Sequence, residues 1–430
     1  ESDRSLVGSE MCIRDRNYTD YYGHVSAFNS DGFELDHVTG EPPLYVNRNT
    51  NTYVGWCWDA GETDSATYTV KVVSDSGNKY RFNDFGTSAV TLDLAEGGTY
   101  TFDGSDSSMS SHPFVIGTAA NGSEYSTGVT YQLDGASVTY SQYTSGYSSA
   151  TTRKLIITVP ASAPQLYYWC SVHSGMGGAI NTNTTLGSSN FDGTGQATVK
   201  TNTSAGFSIA LYTGNATGSP TSAVWQTIGH GLGVAPQVVI MKSRSYSSAD
   251  THWAVYHHKV TDANTDYLVL DTDEARVQTD INYMGSTLPT SSVFSLGYNF
   301  TTNKASETYI AYCFSEVAGY SKFGKYTGNG SSDGMFVFLG FRPAWILVKR
   351  TNASENWALW DSKRTGVNPN GYLLRPDLTN NEGGDVSAHR IDILSNGFKL
   401  RNSDSKGNAS GSTYVYLAFA ESPFKNSRAR

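Results

Sequence analysis

The residues best suited to chemistry lie in Tyr167-Tyr168-Trp169-Cys170-Ser171-Val172-His173-Ser174-Gly175-Met176. A soft thiolate, an imidazole and a thioether follow one another there, two residues between each, at the end of an aromatic strand. Upstream, His112 opens a second apolar strand, His112-Pro113-Phe114-Val115-Ile116. One Cys, two His and a more distant Met form the donor set that suits copper in a trigonal site with a weak axial sulfur. Nothing else in the chain carries a comparable chemical signal.

Other combinations read as structure. His257 and His258 are neighbours beside Trp253-Ala254-Val255-Tyr256. Adjacent strand residues point to opposite faces, so they cannot serve one local site and are expected to be surface histidines. Asp271-Thr272-Asp273-Glu274 lacks the 12-residue calcium-loop pattern and reads as a solvated acidic turn. Lys242-Ser243-Arg244 and Lys349-Arg350 follow apolar strands and read as polar strand ends. No Gly-rich phosphate loop, nucleophile elbow or pair of acid–base carboxylates stands out, so the chain is expected not to be an enzyme. The aromatics alternate with polar residues and are mostly core, with some surface Tyr and Trp suited to stacking on sugars.

The elements that must position the four ligands are strands. Of 430 residues only 16% are charged, while Tyr (28) and Gly (43) are abundant, a balance that favours short alternating strands over amphipathic helices. A net charge of −9 argues against a nucleic-acid or anionic-membrane surface. No apolar run approaches the roughly 20 residues that span a bilayer. Around the ligands, Val70-Lys71-Val72-Val73, Thr91-Leu92-Asp93-Leu94, Thr99-Tyr100-Thr101-Phe102 and Leu155-Ile156-Ile157-Thr158-Val159 read as strands, with Glu96-Gly97-Gly98 as a turn. A polar run from about Asn121 to Thr152 separates His112 from the last strand pair and reads as an exposed insertion.

Across roughly residues 68 to 182 this pattern resembles the cupredoxins, and the Cys-x2-His-x2-Met loop is similar to that of the amicyanins. The resemblance implies an antiparallel β-sandwich and a type 1 copper centre. Cys170, His112 and His173 would be equatorial and Met176 axial. Many cupredoxins follow the first His with an Asn that braces the ligand loop; this chain has Pro113 there.

The rest of the chain repeats. Tyr309-Ile310-Ala311-Tyr312-Cys313-Phe314, Tyr414-Val415-Tyr416-Leu417-Ala418-Phe419 and Tyr53-Val54-Gly55-Trp56-Cys57-Trp58 correspond. Each follows a Phe-x-Leu: Phe294-Ser295-Leu296, Phe398-Lys399-Leu400 and Phe33-Glu34-Leu35. The last two copies also match at Tyr212-Thr213-Gly214-Asn215 with Tyr326-Thr327-Gly328-Asn329, and at Trp253-Ala254-Val255-Tyr256 with Trp357-Ala358-Leu359-Trp360. Cys57 and Cys313 stand where the third copy has Ala418, so small buried residues rather than a disulfide are expected.

The expected organisation is all-β. Residues 62–185 form the cupredoxin-like domain, 186–199 a linker, and 200–317 and 318–425 two tandem β-sandwich-like repeat domains. Residues 17–61 read as the end of a truncated further copy and 426–430 as a tail. Ser5 to Arg16, which includes Cys12, resembles a translated sequencing adapter, so residues 1–16 are set aside as disordered.

Gly319-Tyr320-Ser321-Lys322-Phe323-Gly324-Lys325-Tyr326-Thr327-Gly328-Asn329-Gly330 and the closing Ala420 to Arg430 resemble a domain of marine tailed-phage virion proteins. That resemblance implies a tail-fibre-like component on the surface of an extracellular particle. Its partners would be other virion proteins, further copies of itself or a host surface glycan, with no nucleic acid and no membrane insertion. Two other readings compete. One is a blue-copper electron carrier, and the other a carbohydrate-binding adhesin with the copper-like module as spacer.

Overall fold

The computed structural model describes residues 24–29, 32–36, 51–61, 65–183, 187–217, 224–246, 251–260, 262–278, 280, 282–382 and 384–421. Strand accounts for 41% of the structure and helix for 5%, as the alternating, charge-poor sequence requires. The expectations for residues 1–16 and 426–430, and for Cys12, lie outside the described residues.

The ligand-bearing module is a two-sheet sandwich. One sheet orders Asn78–Phe82, Ser65–Ser74, Thr99–Asp103, Arg153–Thr158, Val129–Leu133 and Ala136–Val138; the other orders Leu92–Ala95, Gly178–Asn183, Leu166–Cys170 and Phe114–Gly117. Two ladders, Ser65–Ser74 with Thr99–Asp103 and Gly178–Asn183 with Leu92–Ala95, are parallel. The sandwich is therefore mixed rather than wholly antiparallel. Its core is aromatic: Tyr68, Phe82, Phe102, Phe114 and Tyr168 interlock, with Phe102 and Phe114 stacked at 4.8 Å and Phe82 edge-on to Tyr168 at 5.1 Å.

The run from Asn121 to Thr152 departs from expectation. It folds as Val129–Leu133, Ala136–Val138 and the helix Tyr140–Gly146, which a reciprocal capping box between Thr139 and Gln142 starts. Tyr143 and Tyr147 on that segment are fully buried in the sandwich core. Polar spacing hid this because only one helical face turns inward.

The two complete repeat copies share one architecture. In copy A a seven-stranded sheet orders Ser188–Asn190, Ala197–Asn202, Phe207–Thr213, Thr308–Phe314, Val238–Ser243, Ala254–His257 and Leu268–Val269, covered on one face by Gln226–Gly229 with Val293–Leu296. In copy B a four-stranded sheet, Ser321–Thr327, Thr413–Phe419, Trp345–Arg350 and Ala358–Asp361, is covered by Phe336–Phe338, Gly397–Leu400 and Ile391–Leu394. Strand alternation then explains the continuous apolar runs. Tyr309, Ala311 and Cys313 fill the core inside copy A, and Tyr414, Tyr416 and Ala418 the core inside copy B. The intervening Ile310, Tyr312 and Phe314 meet Val415, Leu417 and Phe419 in a third core between the two large sheets. The copies therefore stack as four β layers.

Two stretches differ from expectation. The stretch 186–199 contributes strands Ser188–Asn190 and Ala197–Asn202 to the seven-stranded sheet instead of forming a linker. Residues 51–61, which include the third copy's Tyr53 to Trp58, are irregular. Trp58 instead packs edge-on against Phe314, Trp345 and Phe419, closing the end of the shared core. Cys313 is buried as expected, whereas Cys57 is exposed because its segment has no sheet around it; both are free thiols.

Candidate metal centre

Cys170 ends the Leu166–Cys170 strand, which pairs antiparallel with Phe114–Gly117 so that Cys170 lies opposite Phe114. One step further, Ser171 N donates to the Pro113 carbonyl at 3.2 Å. This ladder brings His112 beside Cys170 across 58 residues of chain, while the tight loop after Cys170 returns His173 to the same point. Cys170 Sγ lies 3.9 Å from His112 Nδ1 and 3.7 Å from His173 Nδ1. All three donor atoms fall within 4.8 Å of one another, and the imidazole centroids are 4.6 Å apart.

Those separations are informative. A metal bonded to sulfur at about 2.3 Å and to nitrogen at about 2.05 Å sets the donors about 3.5 Å apart at a tetrahedral angle and about 3.8 Å apart at a trigonal one. The observed distances of 3.7 and 3.9 Å are of the size that donors to one metal ion take. Among the described residues this is the one group of three or more His, Cys, Asp or Glu side chains that could hold a metal ion. Cys170 and His112 are buried and His173 is exposed, so the thiol faces a dry interior and one imidazole faces solvent. Burial, and then the neighbouring His173, push the His112 pKa below its usual 6.5, which keeps its lone pair available to a metal.

The ligand loop is held from the strand Asn78–Phe82. Lys79 Nζ donates to the Gly175 carbonyl, and Tyr80 N donates to the Met176 carbonyl at 3.0 Å. The buried Tyr80 hydroxyl shares its proton between the His112 and Pro113 carbonyls, at 3.1 and 3.2 Å. Proline has no N–H or polar side chain to brace with, and a tyrosine from another strand supplies the bond. Met176 is buried in the same core as Cys170. Spacing alone located His112, Cys170 and His173 but missed Lys79 and Tyr80, whose roles depend on tertiary pairing.

The remaining candidates are structural. His257, expected at the surface, is wholly buried: Nδ1 accepts from Lys259 N at 3.1 Å and Nε2 donates to the Tyr416 carbonyl of copy B at 3.2 Å. His258 Nε2 donates to the Phe323 carbonyl at 2.8 Å. Both histidines therefore fasten copy A to copy B, because protein covers both faces at this strand end. Asp271 accepts from Trp253 N at 3.0 Å and meets His252 at 3.2 Å, while the Asp273 carbonyl accepts from Glu355 N at 2.7 Å. The acidic turn thus joins the copies. Lys242 and Lys349 do stand at strand ends, but their side chains are buried. Lys242 Nζ donates to the Thr251 carbonyl at 2.8 Å, and Lys349 Nζ to the Asp273 carbonyl at 3.0 Å. Each lies 5.9 Å from the ring centroid of the equivalent tryptophan, Trp253 or Trp357.

Fold and site together define a largely β protein of several packed sheets with a His-Cys-His group able to hold a metal ion. Residues 180–423 match the family described as Domain of unknown function (DUF7483), and the chain belongs to that family. The matched region contains copy A and the described strands of copy B and begins within the last strand of the module, so all the candidate ligands lie outside it. No curated protein and no solved structure matches the chain.

Proposed function

We propose that this chain is a non-enzymatic, architectural β-protein whose residues 65–183 bind copper. His112, Cys170 and His173 would be the close ligands and the buried Met176 the weak axial one. The observation that carries the reading is the approach of two Nδ1 atoms to within 3.9 Å of one thiol sulfur. A single thiolate with two imidazoles, and a thioether on the same loop, is a donor set that suits copper better than the closed four-ligand sites of structural zinc. Bound copper would supply one-electron chemistry. The chain's own residues hold the imidazole and thiol in place and keep water from the sulfur, while His173 stays open to solvent. The four stacked layers support the architectural part. The particle-surface setting, with self-association, other virion proteins or a host glycan as partner, rests on the sequence resemblance and is proposed with it; peptide mass spectrometry of purified particles tests it.

The direct test is titration of the reduced full-length chain with Cu(II). An intense visible thiolate-to-copper band is expected in the wild type and its loss in Cys170→Ser, which spares the other thiols. A folded wild type without that band overturns the copper assignment.

A further inference from the structure

Three consecutive carbonyls, from His112 into the start of the strand Phe114–Gly117, are held by buried phenols. Tyr80 bonds those of His112 and Pro113, and the Tyr143 hydroxyl donates to that of Phe114 at 3.2 Å. The two tyrosines arrive independently, Tyr80 from the strand Asn78–Phe82 and Tyr143 from the helix Tyr140–Gly146 in the long segment between the ligands. That helix is itself anchored. Buried Arg153 donates from Nε to the Tyr147 carbonyl at 2.7 Å, with its guanidinium 5.2 Å from the Tyr147 ring centroid. At the helix start, Gln142 and Thr139 hold each other through the capping box on the exposed surface.

Buried carbonyls must find donors, yet a helix set in the long segment 121–152 is an elaborate way to supply one. What Tyr80 and Tyr143 have in common is the target: the backbone on which the first imidazole hangs. Tyr80 also fixes the other side of the site, because its own N–H holds the Met176 carbonyl. Groups that orient ligands without touching the metal set its geometry and affinity.

We infer that Tyr80 and Tyr143 are positioning residues of the metal site, and that the segment 121–152 serves to deliver Tyr143 to the ligand strand. The inference rests on the copper reading above and deepens it. The Tyr80 hydroxyl restrains the backbone at His112 and Pro113 and the Tyr143 hydroxyl the next residue, Phe114, so together they fix the angle at which Nδ1 meets the position shared with Cys170 and His173. Without the hydroxyl, the ring still fills the core but the strand is free to shift.

The test uses Tyr80→Phe and Tyr143→Phe in the full-length chain, with Tyr68→Phe as control. Tyr68 lies in the same core and its hydroxyl donates to the Ser189 carbonyl at 2.8 Å, away from the ligands. Cu(II) affinity, and the energy and intensity of the thiolate-to-copper band, would be measured beside the melting temperature of each metal-free protein. The expected result is a tenfold or greater loss of affinity with a shifted or weakened band in both site variants. In Tyr68→Phe the band should be unchanged. Should a site variant fail to fold, Gln142→Ala loosens the helix from its surface and should shift the band in the same direction. A wild-type band left unaltered by all of these changes, or altered equally by Tyr68→Phe, overturns the inference while leaving the copper site standing. A wild type with no band overturns both.

Discussion

At the scale of single residues, what could be read in advance was what chemistry keeps local. Cys170 and His173 occupy one short loop, so their spacing exposed them, and His112 stood out because an imidazole opened an otherwise apolar run. Tyr80 and Tyr143 were invisible by the same logic, since a phenol announces nothing until the fold chooses its acceptor. His257 shows the opposite failure: alternation assigns it a face, but copy B covers that face. Its burial yields a prediction. The folded pKa is about 3, below the ordinary 6.5, so the folded chain binds fewer protons than the unfolded one between these values. Stability is unaffected by this group above pH 6.5. Its contribution is lost progressively as the pH drops through 6.5 toward 3. His257→Gln retains an amide donor for the Tyr416 carbonyl without the titration. Urea midpoints measured across that range should decline less steeply in the variant than in the wild type; parallel curves would show that His257 is not the titrating group.

At the scale of elements, alternation and turn chemistry account for most of the strands, while their sheet partners do not follow from either. Thr99–Asp103 was legible because Tyr100 and Phe102 are buried between polar neighbours, and the preceding turn because Gly97 adopts φ +79°. The helix Tyr140–Gly146 was not, since seven mostly polar residues carry too little apolar signal. The linker expectation failed because Ser188–Asn190 and Ala197–Asn202 gain their ladder bonds from neighbours, with little apolar content of their own. The ligand loop depends on one such close passage. Gly177 follows Met176 where the chain crosses the Leu166–Cys170 strand, and a Cβ there would lie 1.7 Å from the Tyr168 carbonyl oxygen. Gly177→Ala must push the loop off that strand. It should cost about 1–3 kcal/mol of stability, read as a lower urea midpoint, and weaken copper binding by at least tenfold. Unchanged affinity would mean that the loop closes independently of this crossing.

At the scale of the whole molecule, the repeat was legible because corresponding residues sit at corresponding places, but the face-to-face stacking was not. An apolar run buried on both sides looks the same whether its second face meets another copy or a lid. In the stacking the equivalent residues Trp58, Phe314 and Phe419 meet, with ring centroids 5.5 to 6.3 Å apart. Because one core serves both copies, they should melt as a unit. Calorimetry should show one transition for copies A and B, and Phe314→Ala should lower it by about 3–5 kcal/mol. A variant that separates the melting of the two copies without lowering both would contradict a shared core. The module is joined as firmly. Phe191, next to the strand Ser188–Asn190 of copy A, inserts into the module's aromatic core, while Tyr68, Asp93 and Thr91 of the module bond Ser189 and Gln196. A strand that belongs to one body and a ring that belongs to the other leave no swivel between them. The exposed edge of His173 is thus presented at a set bearing to the stack, so anything seated on the repeats would meet the candidate metal group from one direction.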